Sequence, residues 1–170
     1  MTQATLSSEL LTEAVKEQEP KILRVCFVCT GNTCRSPMAQ AVTNHLAKKL
    51  GRDLTAFSRG LYALDGDPIA SCAIAALEGA GIEPTSVHDY RRHTARNLTD
   101  IDVEGFDLLV GMGKSHVMEL MMRYPHLARR ILCMPVSIPD PFGGDLSVYE
   151  ACLAEIQKGV EALLFSGDAT

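Results

Sequence analysis

The alternation of apolar runs with amphipathic segments predicts strands and helices in turn. Ile22 to Cys29 is an apolar, β-branched run of strand length, which predicts a buried strand. Ser36 to Leu50 follows with helical spacing. Ser36 suits an N-cap, Pro37 the first helical turn and Gly51 the termination. Leu54 to Ser58 predicts a second strand. Pro68 to Gly79 is alanine-rich, with Ile69, Cys72, Ala73, Ala76 and Leu77 at helical spacing. Phe106 to Val110 predicts a third strand, Ser115 to Arg123 a helix ended near Pro125, and Arg130 to Met134 a fourth strand. Pro135 to Gly144, with three prolines and two glycines, predicts a loop before a final helix over Ser147 to Phe165. Ahead of all these, Leu6, Leu10, Leu11, Ala14 and Val15 mark a helix over Leu6 to Lys16, set apart by Pro20.

Strands that alternate with helices predict an α/β three-layer sandwich: a four-stranded parallel sheet flanked by helices. Sites in such sheets lie beyond the carboxyl ends of the strands. The loops after the first, third and fourth strands are therefore expected on one edge. A chain of 170 residues suits one domain, read here as residues 21–170 behind a helical extension over 1–20. No internal repeat or low-complexity tract is present.

Composition narrows the functional classes. A net charge of −5 argues against nucleic acid and anionic membranes as partners. No apolar stretch reaches the roughly 18 residues needed to span a bilayer. Residues 1–20 lack the basic start and unbroken apolar centre of a signal peptide and carry Glu9, Glu13, Glu17 and Glu19. The expectation is cytoplasmic, where the six cysteines serve as buried hydrophobes or reactive thiols rather than a disulfide framework.

The chemistry concentrates after the first strand, in Cys29-Thr30-Gly31-Asn32-Thr33-Cys34-Arg35-Ser36-Pro37. A strand ends at a cysteine, and a short loop turns directly into a helix. Its free N–H groups and the positive end of the helix dipole then face one hollow. That field is expected to favour the Cys29 thiolate and lower its pKa. Gly31 permits close approach and unusual dihedrals, and Asn32 tolerates a left-handed backbone while its amide pins the loop. Arg35 offers a planar fork for two phosphate oxygens. Ser36 is placed to donate to the Cys29 sulfur. Taken together, Thr30, Gly31, Asn32, Thr33, Cys34 and Ser36 form a candidate phosphate cradle.

The stretch V-C-T-G-N-T-C-R-S-P-M-A resembles the signature of the low-molecular-weight protein tyrosine phosphatase family. Ser58-Arg59-Gly60 resembles the family's Ser-x-Gly, His93-Thr94-Ala95-Arg96 its His-x-Ala-Arg, and Asp140-Pro141-Phe142-Gly143 its Asp-Pro-aromatic loop. The likeness runs from about Val25 to the final helix. It implies a four-stranded parallel sheet and a two-step hydrolysis without metal or cofactor. Cys29 attacks phosphorus, Arg35 stabilises charge, and Asp140 protonates the leaving atom and then activates water. The resemblance also implies that Ser58 and His93 hold Asn32. Asp145 and Asp107 are weaker substitutes for the acid, since Asp107 precedes a strand and belongs at the far end of the sheet.

The implied partner is a phosphorylated protein or peptide. The family has a tyrosine-directed branch and a bacterial arginine-directed branch, and three places resemble the second. Thr33 stands where tyrosine-directed members usually carry a larger aliphatic residue. The acid loop reads Asp-Pro-Phe-Gly-Gly. Met112-Gly113-Lys114-Ser115-His116 is close to the branch's Met-Thr-x-x-His, with Gly113 as a departure. A longer segment between Ile82 and His93, with Tyr90, Arg91 and Arg92, is a second departure, expected to reshape the pocket rim or to stand as a solvated loop.

Among the remaining cysteines, Cys34 can either pair reversibly with Cys29 or simply pack. Cys26 and Cys29 face opposite sides of a strand, so one metal site cannot use both. Cys72, Cys133 and Cys152 are expected to be buried, and Met118, Met121 and Met122 to pack in the core. Arsenate reductase is the rival enzyme, but Gly111 to Tyr124 has none of the relay cysteines it needs. A non-catalytic phosphate-binding module is the rival from another class.

Overall fold

Val25, Cys26, Phe27 and Val28 are fully buried, because β1 (Leu23–Cys29) runs inside a sheet covered on both faces. The computed structural model describes residues 21–168, so the expected helix over Leu6 to Lys16 lies outside the described residues. The sheet order is β2-β1-β3-β4, with β2 at Leu54–Gly60, β3 at Leu108–Gly111 and β4 at Ile131–Cys133. Every pair is parallel. The helices are α1 (Arg35–Lys49), α2 (Ser71–Gly79), α3 (Lys114–Arg123) and α4 (Leu146–Leu164). This is the three-layer α/β arrangement that the pattern predicts.

Successive side chains of β1 enter different cores. Val25, Phe27 and Cys29 pack with Met38 and Val42 of α1, Leu77 of α2 and Ile156 of α4. Cys26 and Val28 pack on the other face with Leu109 of β3 and Leu120 of α3. Cys26 and Cys29 thus belong to different cores. No helix among the described residues is long and apolar enough to cross a membrane.

Boundary differences are informative. β2 runs two residues past the expected end at Ser58, and its register places Gly60 opposite Cys29. α2 starts at Ser71 rather than Pro68, because residues 68–70 are tied elsewhere. Pro68 bridges Thr94, and the Ala70 N–H donates to the Thr33 carbonyl at 3.0 Å. β3 starts two residues late: the Phe106 N–H is turned back to the Val103 carbonyl, and the Arg24 N–H donates to the Asp107 carboxylate rather than to a backbone carbonyl.

Five burial expectations fail. Met118 and Met122 are 66% and 81% exposed, and Met121 is exposed as well. His116, Val117 and Leu120 supply the inward face of α3, which turns the methionines outward. Cys72 and Cys133 are half-buried, near the start of α2 and at the end of edge strand β4; Cys152 is buried as expected. The extra segment before His93 does not reach the rim of the hollow beside Cys29. It packs behind the loop, anchored by buried Tyr90, whose hydroxyl donates to the Ile82 carbonyl at 2.7 Å.

Candidate active site

The parallel sheet brings the loops after β1, β2 and β4 to one edge. They enclose a hollow of about 300 Å³, lined on one side by residues 29–35 and on the other by Tyr62, Leu64, Asp67, Asp140 and Phe142. Cys29, Arg35 and Asp140, far apart in sequence, meet there. α1 begins at Arg35 with Cys34 in the N-cap position and no side-chain cap. Its first N–H groups therefore remain open toward the hollow.

Ser36 is not the N-cap. It lies in the first turn, buried, with its hydroxyl 2.8 Å from the Cys29 sulfur. That oxygen also accepts from Asn32 Nδ2 at 2.8 Å, and the Asn32 N–H reaches the sulfur at 3.3 Å. Burial is nevertheless the largest influence on Cys29 and raises its pKa above the ordinary value. Ser36, the Asn32 amide and Arg35 act to lower it. The donors expected from the sequence are in place and act in the expected sense, but the predicted net lowering is reversed by burial.

Asn32 is the structural knot of the loop. It is fully buried and left-handed, with φ 56°, whereas Gly31 has no positive φ. The unusual backbone falls one residue later than expected. Besides Ser36, its Nδ2 donates to Ser58 Oγ at 3.0 Å, and its Oδ1 accepts from the Arg96 N–H at 2.9 Å. Its carbonyl accepts from His93 Nε2 at 3.0 Å. Ser58 and His93 thus both reach Asn32. Gly60 passes so close behind the loop that a Cβ there would lie 2.7 Å from the Thr30 carbonyl oxygen.

Asp140 Oδ2 lies 3.5 Å from Arg35 Nη2, across the mouth of the hollow. Its Oδ1 accepts from the Phe142 N–H at 3.1 Å, which fixes the carboxyl on the Pro-Gly loop. Neither alternative carboxylate is free for the site. Asp107 accepts from the Arg24 N–H and from Lys21 at the opposite strand ends. Asp145 caps α4 by accepting from the Val148 N–H.

Gln40 and Tyr149 escaped the sequence reading, and His116, named there only as part of a motif, was given no contact. Gln40 Oε1 accepts from Ser58 Oγ at 2.6 Å, the Tyr149 hydroxyl lies 3.2 Å from the Cys34 sulfur, and His116 Nε2 lies 3.0 Å from Thr30 Oγ1. Burial and Arg35 lower the His116 pKa. The available signals were a glutamine on the inward side of α1 and a histidine in the helix after β3. Tyr62, Leu64 and Asp67 reach the hollow from beyond β2, a place that strand order alone did not assign to the site.

Comparison with known proteins places this geometry. The sequence model described as low molecular weight phosphotyrosine protein phosphatase matches residues 24–169. A probable low molecular weight protein-tyrosine-phosphatase, EpsP, of Ralstonia solanacearum is 32% identical over 145 residues, covering 83% of this chain and 93% of its own length. The protein-arginine-phosphatase of Bacillus subtilis is 27% identical over 141 residues, covering 79% and 89%. The crystal structure of a low molecular weight protein tyrosine phosphatase from T. tengcongensis superposes with a TM-score of 0.76 at 35% identity, covering 85% and 99%. With the match spanning the sheet, the cysteine loop and the acid loop alike, the chain belongs to the low molecular weight phosphotyrosine protein phosphatase family and is a phosphoprotein phosphatase.

Proposed function

We propose that this phosphatase works through a cysteinyl-phosphate on Cys29 and acts on phosphoarginine side chains of proteins. The observation that carries the mechanism is the convergence of Cys29, Arg35 and Asp140 on one hollow floored by open loop amides. In the first step the Cys29 thiolate, which Ser36, the Asn32 N–H and Arg35 stabilise, attacks phosphorus in line, and the bond from phosphorus to the guanidine nitrogen breaks. The Asp140 carboxyl delivers its proton to that nitrogen. Arg35 and the loop N–H groups hold the equatorial oxygens. An arriving phosphoryl group competes for the Arg35 guanidinium and so releases Asp140 from it. In the second step water attacks phosphorus, Asp140 takes its proton, and the thiolate leaves with inorganic phosphate as product. The chemistry calls on no metal or cofactor.

The arginine preference rests on Thr33, whose short hydroxylated side chain lines the hollow. It leaves room for a branched guanidine, which a larger aliphatic residue would crowd. The name of the Bacillus subtilis relative points the same way. A second reading, phosphotyrosine, is favoured by Tyr62 and Phe142, two exposed aromatic residues that could flank a flat phenol. A free thiol nucleophile fits a reducing, cytoplasmic compartment.

The test compares rates on phosphoarginine and phosphotyrosine peptides for the wild type and Thr33→Ile. The wild type is expected to prefer phosphoarginine, with the preference lost in the variant. Equal or tyrosine-favouring wild-type rates would overturn the arginine assignment. Turnover of para-nitrophenyl phosphate that survives Cys29→Ser would overturn the mechanism.

A further inference from the structure

We infer that His88, in the extra segment behind the loop, is a positioning residue that acts through His93 to orient the phosphate-binding amides. His88 Nε2 lies 3.2 Å from His93 Nδ1, and His93 Nε2 lies 3.0 Å from the Asn32 carbonyl oxygen. The direction of this chain follows from its end. A carbonyl oxygen only accepts, so His93 carries its proton on Nε2. In a neutral ring Nδ1 is then an acceptor, so His88 must donate to it from Nε2. Both rings are held as Nε2–H tautomers.

The chain acts on the one peptide plane that matters most to the loop. The peptide unit is planar and trans, so its C=O and the following N–H point in opposite directions. Drawing the Asn32 carbonyl back to His93 turns the Thr33 N–H the other way, away from His93. His93 belongs to a cleft behind the loop, while Thr33 lines the hollow in front. Asn32 is also the loop's left-handed residue, with φ 56°, so this plane is the one most in need of an external hold.

His88 is built to stay in place. The Thr85 and His88 backbones exchange two hydrogen bonds, and buried Tyr90 anchors the segment two residues on. The two rings meet edge to face, centroids 5.4 Å apart. His88 Nδ1 is buried without a partner among the described residues, so a proton there has no acceptor. The surroundings also oppose protonation. Arg59, Arg92 and Arg96 share the cleft, with Arg59 paired to Asp102, and Asp89 is the acidic residue beside the ring. Burial pushes the His88 pKa down to about 4 and lowers that of His93. Both shifts favour the neutral rings on which the direction of the relay depends.

The inference rests on the cysteinyl-phosphate reading for its kinetic consequences but not for its tautomers. In the wild-type chain, 15N NMR of the imidazole rings should find both histidines protonated on Nε2. A Nδ1–H form of either ring overturns the relay whether or not the chain is active. With para-nitrophenyl phosphate as the probe, His88→Phe is expected to lower kcat/KM about fivefold, the worth of one hydrogen bond. It should also move the acid limb of the pH profile upward, because His93 Nδ1 loses the donor that blocks its protonation. His88→Gln keeps an N–H donor of similar reach and should restore both rate and profile. An unchanged rate in His88→Phe, or an equal loss in His88→Gln, overturns the proposal. Turnover surviving Cys29→Ser would instead sink the catalytic reading and leave the NMR result standing.

Discussion

Replacing Asn32 separates the two ways in which it holds the phosphate loop. In Asn32→Ala the residue must keep a left-handed backbone without the asparagine side chain, which costs about 1 kcal/mol. The Arg96 N–H loses its acceptor, and a donor stranded at a half-buried site costs roughly 1–3 kcal/mol. The two serines lose less, because Ser36 keeps the Cys29 sulfur and Ser58 keeps Gln40. The sum is about 2–4 kcal/mol. Asn32→Gly removes the backbone cost and retains the stranded donor, so it should lose about 1–3 kcal/mol. Urea denaturation of the three proteins measures the difference, and kcat/KM on an aryl phosphate measures the loop. Both variants should lose more activity than stability, since the residue shapes the hollow as well as the fold. If both stay within about 0.5 kcal/mol of wild type, the site's polar knot is not what holds it, and the reasoning fails.

Ser36→Ala removes a hydrogen bond that lowers the Cys29 pKa, so the thiol should titrate higher still; kcat/KM at fixed pH should fall about tenfold or more. Iodoacetamide inactivation against pH checks this, and an unmoved midpoint refutes it. Gly60→Ala drives a methyl against the Thr30 carbonyl and Ala63, at a cost of about 1–3 kcal/mol seen in denaturation together with reduced turnover; full activity would contradict the close approach. The folded-state pKa values of His88 and His93 are depressed, so between those values and the unfolded value near 6.5 the unfolded chain binds more protons. Their contribution to stability is complete above that window and is lost as pH falls through it toward about 4; a slope of stability with pH that does not flatten in His88→Gln would refute the assignment. Met118→Gln and Met122→Gln, on the outer face of α3, should change stability by less than about 0.5 kcal/mol, and a larger loss by thermal melting would mean that the face is covered.

What was legible in the sequence was whatever local pattern decides. The run from Val25 to Cys29 is buried on both faces and so carries no polar position, and the turn from Cys29 to Arg35 is short enough that its residues must face one another. Less legible were features set by tertiary balance. The Cys29 pKa depends on how deep the sulfur sits, which no spacing encodes. The outward turn of the α3 methionines depends on which face meets the sheet, and His116, Val117 and Leu120 decide it. The role of the segment before His93 depends on where it folds back, and a histidine pair five residues apart has no local signature.

The least legible part is the polar stripe on the buried side of α1, and it explains why the site holds together. β2 is an edge strand, so on its outer side backbone groups have no neighbouring strand to pair with. Asn44 supplies the missing partner at Ala56, donating to its carbonyl at 3.1 Å and accepting from its N–H at 2.8 Å. Gln40, one helical turn earlier, donates to the same carbonyl at 3.2 Å and accepts from the Ser58 hydroxyl at 2.6 Å. Ser58 in turn accepts from Asn32. One helix therefore both opens its N-terminal amides toward the phosphate hollow and clamps the edge strand whose serine supports the loop. A polar residue on a buried helix face is costly unless it is paired. Here the pairing joins α1, β2 and the catalytic loop into one hydrogen-bonded unit, so a shift of the edge strand is transmitted to Asn32 within two bonds.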